Sequence, residues 1–251
     1  MLLTNTLTTL KQSDAPLFLG LSGGVDSQFL FDQLIQSHIP FTAIHIHHGL
    51  QKEADNWLVH CQHQCNKHNI SFLSKHACVQ NNGTGIEDSA RNARIDFFRQ
   101  CLDQTPTKGI LLLAHHQDDQ IETFFLRLMR GASLNGLGAM TSQADFYGHI
   151  VLRPLLEMRK NEIVEKSKNL NWVEDPSNGD SKYDRNFLRN KLLPLLSTRW
   201  TQYRSNIQQS ITHIQNAKTE QIDSYSEVLS TYADAQQLLI PLRKNQLNHL
   251  I

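Results

Sequence analysis

The hexapeptide SGGVDS, Ser22 to Ser27, has the residue types that bind an anion through the backbone. Two glycines let the chain approach a ligand with no Cβ in the way. A helix starting directly after them aims its unbonded N–H groups and the positive end of its dipole at the same point. The natural guest is a phosphate. No lysine stands in the loop, so it is not of the GxxxxGKS kind, and Asp26 in its middle would repel a bare phosphate. The arrangement therefore calls for a bridging Mg²⁺ or a cationic partner. The plain alternative is a strand-to-helix turn capped by serine.

A second acidic group follows in HHQDDQIET, His115 to Thr123, where Asp118 and Asp119 lie four and three residues before Glu122. On a helix these share a face, and carboxylates so close repel unless a cation sits among them. Aspartates are also common at the start of a solvated helix. In GIEDSARNARIDFF, Gly85 to Phe98, the residues Glu87, Arg91 and Arg94 form one stripe, which reads by pattern as an i, i+4 ion pair on a solvated face or as a functional face. His45, His47, His48, His115 and His116 do not have the spacing of a metal site on any single element, and read as hydrogen-bonding residues of a ligand rim, with His48 and His115 near the ligand. Between Arg185 and Arg204 stand five Arg or Lys and no acid, interleaved with Phe187, Trp200 and Tyr203. That pattern suits RNA, although FLRNKLLPLL within it also reads as a packing segment.

The elements that must position these residues alternate. An apolar run, Pro16 to Leu21, enters the glycine loop and FLFDQLI follows at helical spacing. Phe41 to His47 reads as a strand, Glu53 to His68 as a helix, and Ile70 to Leu73 as the start of a third strand. Helix Gly85 to Phe98 has an apolar stripe of Ile86, Ala90, Ala93 and Phe97. Gly109 to Ala114 is a continuous apolar run of the kind buried on both faces of a parallel sheet, and helix Asp118 to Met129 follows. This alternation predicts an α/β fold, a doubly wound parallel sheet whose ligand sits outside the carboxyl ends of the strands. Both SGGVDS and HHQDD fall on that rim. Further on, FYGHIVLRPLL reads as one strand, Arg159 to Leu170 as a helix, Asp175 to Asn178 as an ordered turn, and about Trp200 to Tyr232 as a long polar helix.

Bulk properties narrow the class. Of the 251 residues, 39% are hydrophobic and none of the apolar runs reaches the roughly 18 residues of a membrane span. Met1 to Leu10 lacks the layout of a signal peptide, so a cytosolic protein is expected, and the sequon at Asn82 is then inert. Cys61, Cys65, Cys78 and Cys101 form no CxxC pair, which suits reduced structural thiols. The formal net charge is zero, so RNA contact must come from local patches.

SGGVDS after a first strand resembles the phosphate loop of the PP-loop ATP-pyrophosphatases, which cleave ATP between its α and β phosphates. HIHHGLQ, GIEDSARNARIDFF, AHHQDDQIETFFLRLMRGASLNGLGAM, RPLLEMRKNEI and WVEDPSNGDSKYDRNFLRNKLLP, in that order, are similar to the lysidine synthetases within that group. The resemblance implies an adenine nucleotide alpha hydrolase-like catalytic domain over 1–200 and a smaller, incomplete helical domain over 201–251 that contacts tRNA. It implies ATP-dependent ligation of free L-lysine to C2 of the wobble cytidine of tRNA(Ile) with a CAU anticodon, through an adenylated cytidine. Ser22, Gly23, Gly24, Val25, Asp26 and Ser27 would bind ATP with His48, Arg91 and His115, and Asp26 and Asp119 would hold Mg²⁺. Asp26, Arg94, Asp119 and Glu122 would be catalytic, the last two receiving the lysine ammonium, while Arg185, Arg189 and Lys191 would meet the tRNA. A homodimer is compatible with this reading. A tRNA thiolase lacks the paired cysteines it needs here, an amidotransferase lacks room for a glutaminase domain, and a pure nucleotide sensor has no use for three extra carboxylates. The chain closes on Leu247 to Ile251, apolar text without a helix stop signal, which is read as an incomplete end.

Overall fold

The apolar run before the glycine loop forms a strand in the middle of a six-stranded sheet. The computed structural model describes residues 2–49, 53–77 and 86–234; side chains at 86, 87, 177, 178 and 225–234 are outside that description. Leu50, Gln51, Cys78, the Asn82 sequon, Gly85, the Glu87 side chain and the closing Leu247 to Ile251 therefore lie outside the described residues.

In chain order the elements begin with α1 (Leu2–Lys11), β1 (Leu17–Gly20), α2 (Val25–Gln36), β2 (Thr42–His47), α3 (Ala54–Lys67) and β3 (Ser71–His76). There follow α4 (Ile86–Asp103), β4 (Ile110–Leu112), α5 (Gln117–Met129), α6 (Leu134–Leu137), β5 (Gln143–Phe146), β6 (His149–Leu152) and α7 (Lys160–Lys166). The last are α8 (Asp184–Phe187), a π-helical turn Leu188–Leu192, α9 (Leu193–Arg199) and α10 (Tyr203–Asp234).

The strand order is β3-β2-β1-β4-β6-β5, with every pair parallel except β5 and β6. Side chains alternate across the sheet as the pleat requires. Leu17, Leu19, Ile110 and Leu112 point into a core with Phe29 and Leu30 of α2, Cys61 and Cys65 of α3, and Ile163 of α7. Phe18, Ile44 and Leu111 point the other way, against Phe98, Cys101 and Leu102 of α4. Helices thus cover both faces, as the unbroken apolar runs of β1 and β4 predict. The chain leaves β1 for β2 on one side and returns to β4 on the other, so the crevice outside the carboxyl ends of β1 and β4 is the switch point.

FYGHIVLRPLL is not one strand. It is the end of a hairpin, with Tyr147 (φ 53) and Gly148 (φ 86) forming the turn between β5 and β6. Positive φ at both positions gives the twist that two-residue hairpins prefer. Leu2 to Leu10 form most of α1, with Leu10 buried in the core.

The compact units divide the chain elsewhere than at residue 200. One is Met1–Asp119 with Thr141–Asn178, and the other is Gln120–Met140 with Gly179–Ile251. Within the second unit Ile121 and Phe125 pack with Leu193, Leu196, Tyr203 and Ile207, so the later part of α5 shares a core with the C-terminal helices. Gln215 also donates to the carbonyls of Gly138 and Met140 there. Among the described residues no helix is long and apolar enough to cross a membrane.

Candidate nucleotide-activation site

The loop from Ser22 to Ser27 is braced by its own serines. Ser27 Oγ donates to the Gly24 carbonyl (3.0 Å) and accepts from the Ser22 N–H (3.2 Å), and the two hydroxyls are 3.0 Å apart. The Gly24 N–H donates to Ser22 Oγ at 3.3 Å. Gly23 has φ +90, and a Cβ there would stand 2.9 Å from Val173 Cγ2 and 3.2 Å from Cys61 Sγ. Glycine is required on both counts. The Val173 N–H donates to the Gly23 carbonyl (3.0 Å), so the WVEDPSN segment backs the loop. His45 does the same from β2, its Nδ1 donating to the Leu21 carbonyl at 2.8 Å. Gly24 is the extended residue before α2, and Val25, Asp26 and Ser27 form that helix's first turn, whose N–H groups have no carbonyl one turn earlier.

Asp26 has a cationic partner. Lys160 at the start of α7 donates to its Oδ1 and Oδ2 at 2.7 and 2.6 Å. The Lys160 backbone N–H also donates to Asp118 Oδ2 (2.8 Å), so one residue ties the loop to the group after β4. His116, with a side chain only 4% exposed, sits among three carboxylates. Its Nε2 is 3.7 Å from Asp26 and 3.5 Å from Asp119, and its Nδ1 is 3.9 Å from Asp118. Asp119 also accepts the His116 backbone N–H at 3.0 Å, reaching back over the first turn of α5 as a capping residue does.

These carboxylates fit Mg²⁺. That ion takes one or two carboxylates and fills its octahedron with phosphate oxygens and water. Asp26 and Asp119 both approach one imidazole nitrogen, and that convergence supplies such a pair. Among the described residues no group of three or more His, Cys, Asp or Glu is arranged as a metal cage.

The other candidates fall around this centre or apart from it. His48 is half-buried after β2, and burial, then the positive charge of Arg94, pushes its pKa down to about 4. Its imidazole is therefore neutral near pH 7 and can hydrogen bond without adding charge. Arg91 and Arg94 are exposed on α4. His115 follows β4 and is half-buried. His47 turns away, 3.0 Å from Asp55 and ring to ring with His76. Burial pushes Cys61 and Cys65 up to about 12 and Cys101 up to about 11, so none is a thiolate near neutral pH.

Glu122 belongs to the second unit, and its side chain has no exposed surface. Arg189 grips it with two hydrogen bonds, Nε to Oε1 at 2.7 Å and Nη2 to Oε2 at 3.0 Å, and Arg185 Nε stands 3.4 Å from Oε2. Arg185 also donates to Thr123 Oγ1. The acidic face expected of α5 is thus split: Asp118 and Asp119 face His116 and Lys160, whereas Glu122 is held by two arginines. Of the aromatic residues expected to meet RNA, Phe187 and Trp200 are exposed at 50% and 56%, but Tyr203 is buried in the core of its unit and is no stacking surface. Lys191 is exposed.

His45 and His116, read from the sequence as hydrogen-bonding rim residues, both lie at this site, His45 on the Leu21 carbonyl and His116 among the three carboxylates. One residue of the site was not singled out from the sequence. Lys160 stands 134 residues from Asp26 with no spacing signal to link them.

A mostly parallel sheet with a glycine-rich loop and paired carboxylates at its switch point defines an α/β protein of the kind that binds ligands at the carboxyl ends of its strands. A family model described as a PP-loop domain matches residues 3–196, and the chain belongs to that family. It is 44% identical over 208 residues to the tRNA(Ile)-lysidine synthase of Histophilus somni strain 129Pt, covering 80% of this chain and 48% of that one. With the tRNA(Ile)-lysidine synthase of Haemophilus influenzae strain Rd it shares 41% identity over 243 residues, 92% of this chain and 55% of the relative. The chain spans about half the length of the curated relatives it matches. Among solved structures, a U34-tRNA thiolase from Methanococcus maripaludis superposes with a TM-score of 0.66 at 15% identity, over 85% of this chain and 78% of that one, a likeness of fold.

Proposed function

We propose that this chain performs the chemistry named by its relatives, the ATP-dependent ligation of lysine to C2 of the wobble cytidine of tRNA(Ile) with a CAU anticodon. The observation that carries the reading is the convergence of Asp26, Asp119, His116 and Lys160 beside a self-braced glycine loop. This is a site for a polyphosphate with a cation, and it sits in a chain over 40% identical to lysidine synthases. The cytosine O2 attacks the α phosphorus of ATP, the bond to the bridging oxygen breaks, and pyrophosphate leaves with that electron pair. The lysine ε-amine, having given up a proton, then forms the bond to C2 as the C2–O bond breaks, and AMP leaves with the oxygen. Adenylation is needed because an unactivated oxygen is a poor leaving group.

The loop N–H groups hold phosphate oxygens, and Ser22 and Ser27 fix the loop's shape. Arg91 and Arg94 contact nucleotide phosphate from α4, while His48 and His115 hydrogen bond at the rim. Mg²⁺ held by Asp26 and Asp119 would neutralise phosphate charge. Glu122 serves the lysine step by exchanging Arg189 for the substrate ammonium, and Arg185, Arg189 so released and Lys191 serve tRNA binding together with the exposed Phe187 and Trp200. The reading places the protein in the cytoplasm, with tRNA and free lysine as partners.

The experiment is product identification. With ATP, Mg²⁺, isotopically labelled lysine and tRNA(Ile), the wobble nucleoside carries the lysine label in an ATP-dependent manner. Label absent from the nucleoside while pyrophosphate is released would point to another nucleophile on the same PP-loop chemistry.

A further inference from the structure

The glycine loop lacks the lysine that nucleotide loops of the GxxxxGKS kind place on the β and γ phosphates. In its place stands a carboxylate, Asp26, whose side chain is 26% exposed. The ammonium on it comes from a different part of the chain, Lys160 of α7, whose side chain is 40% exposed. Two observations separate this contact from an ordinary surface pair. It is bidentate, with both carboxylate oxygens within 2.7 Å of Nζ. Its backbone is also fixed, because the Lys160 N–H is bonded to the buried Asp118 at 2.8 Å. A surface lysine is normally free to wander over several rotamers at small cost. This one is anchored at its main chain and delivered to the phosphate loop.

An ammonium carries three N–H donors, and the two oxygens of Asp26 take two of them. A polyphosphate in the loop would bring several negative oxygens to a place where Asp26 alone is repulsive and Lys160 attractive. Resting on the function proposed above, we propose that Lys160 is a phosphate ligand of this loop, the counterpart from α7 of the lysine missing from SGGVDS, and that it binds the β and γ phosphates that leave as pyrophosphate. In the first step the O2–Pα bond forms and the bond from Pα to the bridging oxygen breaks, with no proton moved. The electron pair collects on the bridging oxygen of the leaving pyrophosphate. A cation there is worth more as that charge grows, so Lys160 favours the transition state over bound ATP.

The test must tell a ligand from a brace for Asp26. Inorganic pyrophosphate, AMP and ATP are titrated calorimetrically, with Mg²⁺ present, into the wild type, Lys160→Met, Lys160→Arg, Asp26→Asn and the double variant. The expected result is a loss of pyrophosphate affinity of about tenfold or more in Lys160→Met, of the size a charged hydrogen bond carries. AMP affinity stays within about twofold, and Lys160→Arg recovers most of the loss. In the Asp26→Asn background, where the lysine has no carboxylate to brace, Lys160→Met still weakens pyrophosphate binding. If the double variant binds pyrophosphate as Asp26→Asn does, Lys160 only braces Asp26 and the inference is overturned. If the wild type takes up neither ATP nor pyrophosphate, the proposed function falls with it.

Discussion

Arg189 holds both carboxylate oxygens of Glu122, at 2.7 and 3.0 Å, and the acid it holds has no exposed surface. Leaving a buried carboxylate without its main partner is costly, while the partial exposure of the arginine and the nearby Arg185 reduce the loss. Arg189→Ala should destabilise the fold by about 1–3 kcal/mol, below the range for a fully buried pair. Chemical denaturation checks this, and coupling to Glu122→Gln in a double-mutant cycle identifies the pair as the cause. Additive effects would mean that Arg189 stabilises the unit through other contacts.

In the proposed reaction, substrate lysine arrives as an ammonium with a pKa of about 10.4 and must lose a proton before it attacks C2. Adenylation involves no lysine. Glu122→Gln should therefore raise the lysine concentration required by about tenfold or more while single-turnover pyrophosphate release is largely kept. Asp119→Asn should impair both steps, because Asp119 lies against His116 within reach of the Asp26 group. Equal loss of both steps in Glu122→Gln would move that residue to ATP.

His48 titrates at about 4 rather than 6.5 because it is half-buried and near Arg94. The folded state resists a proton that the unfolded chain accepts. Its contribution to stability is therefore present above pH 6.5 and is lost as the pH falls from there towards 4. His48→Gln should flatten that part of the stability profile, and Arg94→Gln should raise the His48 pKa measured by NMR. An unmoved His48 titration in Arg94→Gln would mean that burial, with His45 and His47 beside it, sets the value without Arg94.

If Lys191 meets phosphate of the tRNA, Lys191→Ala should weaken tRNA binding for any sequence and reduce the slope of log K against log salt by about 0.7–0.9. Filter binding over a salt series measures it. An unchanged slope would leave Lys191 as a solvated surface charge.

Much of this site was legible because its residues are local. SGGVDS, its strand and its helix are contiguous, and the continuous apolar text of Gly109 to Ala114 gave β4 because a strand buried on both faces admits no polar alternation. The hairpin was missed because β5 is an edge strand with Gln143 and Asp145 exposed, so its apolar signal is only Ala144 and Phe146, an alternation too short to stand out. The split of α5 was hidden for another reason: i, i+3 spacing places Asp119 and Glu122 on one face but is silent about Lys160 and Arg189, which lie 42 and 67 residues from their partners Asp118 and Glu122. Tyr203 reads equally as a stacking ring or a core ring, and burial with Ile121 and Leu193 decides it.

On the proposed function, Asp26 and its loop serve the cleavage of ATP between the α and β phosphates that activates a tRNA base. The most direct measurement is a single turnover with ATP labelled on both α and γ phosphates, Mg²⁺ and tRNA(Ile), with lysine withheld and then added. About one pyrophosphate per active site is expected before lysine, with the α label on the tRNA, its release as AMP once lysine enters, and no pyrophosphate from Asp26→Asn that still folds. Release of inorganic phosphate in place of pyrophosphate, or near-normal release by Asp26→Asn, would contradict it.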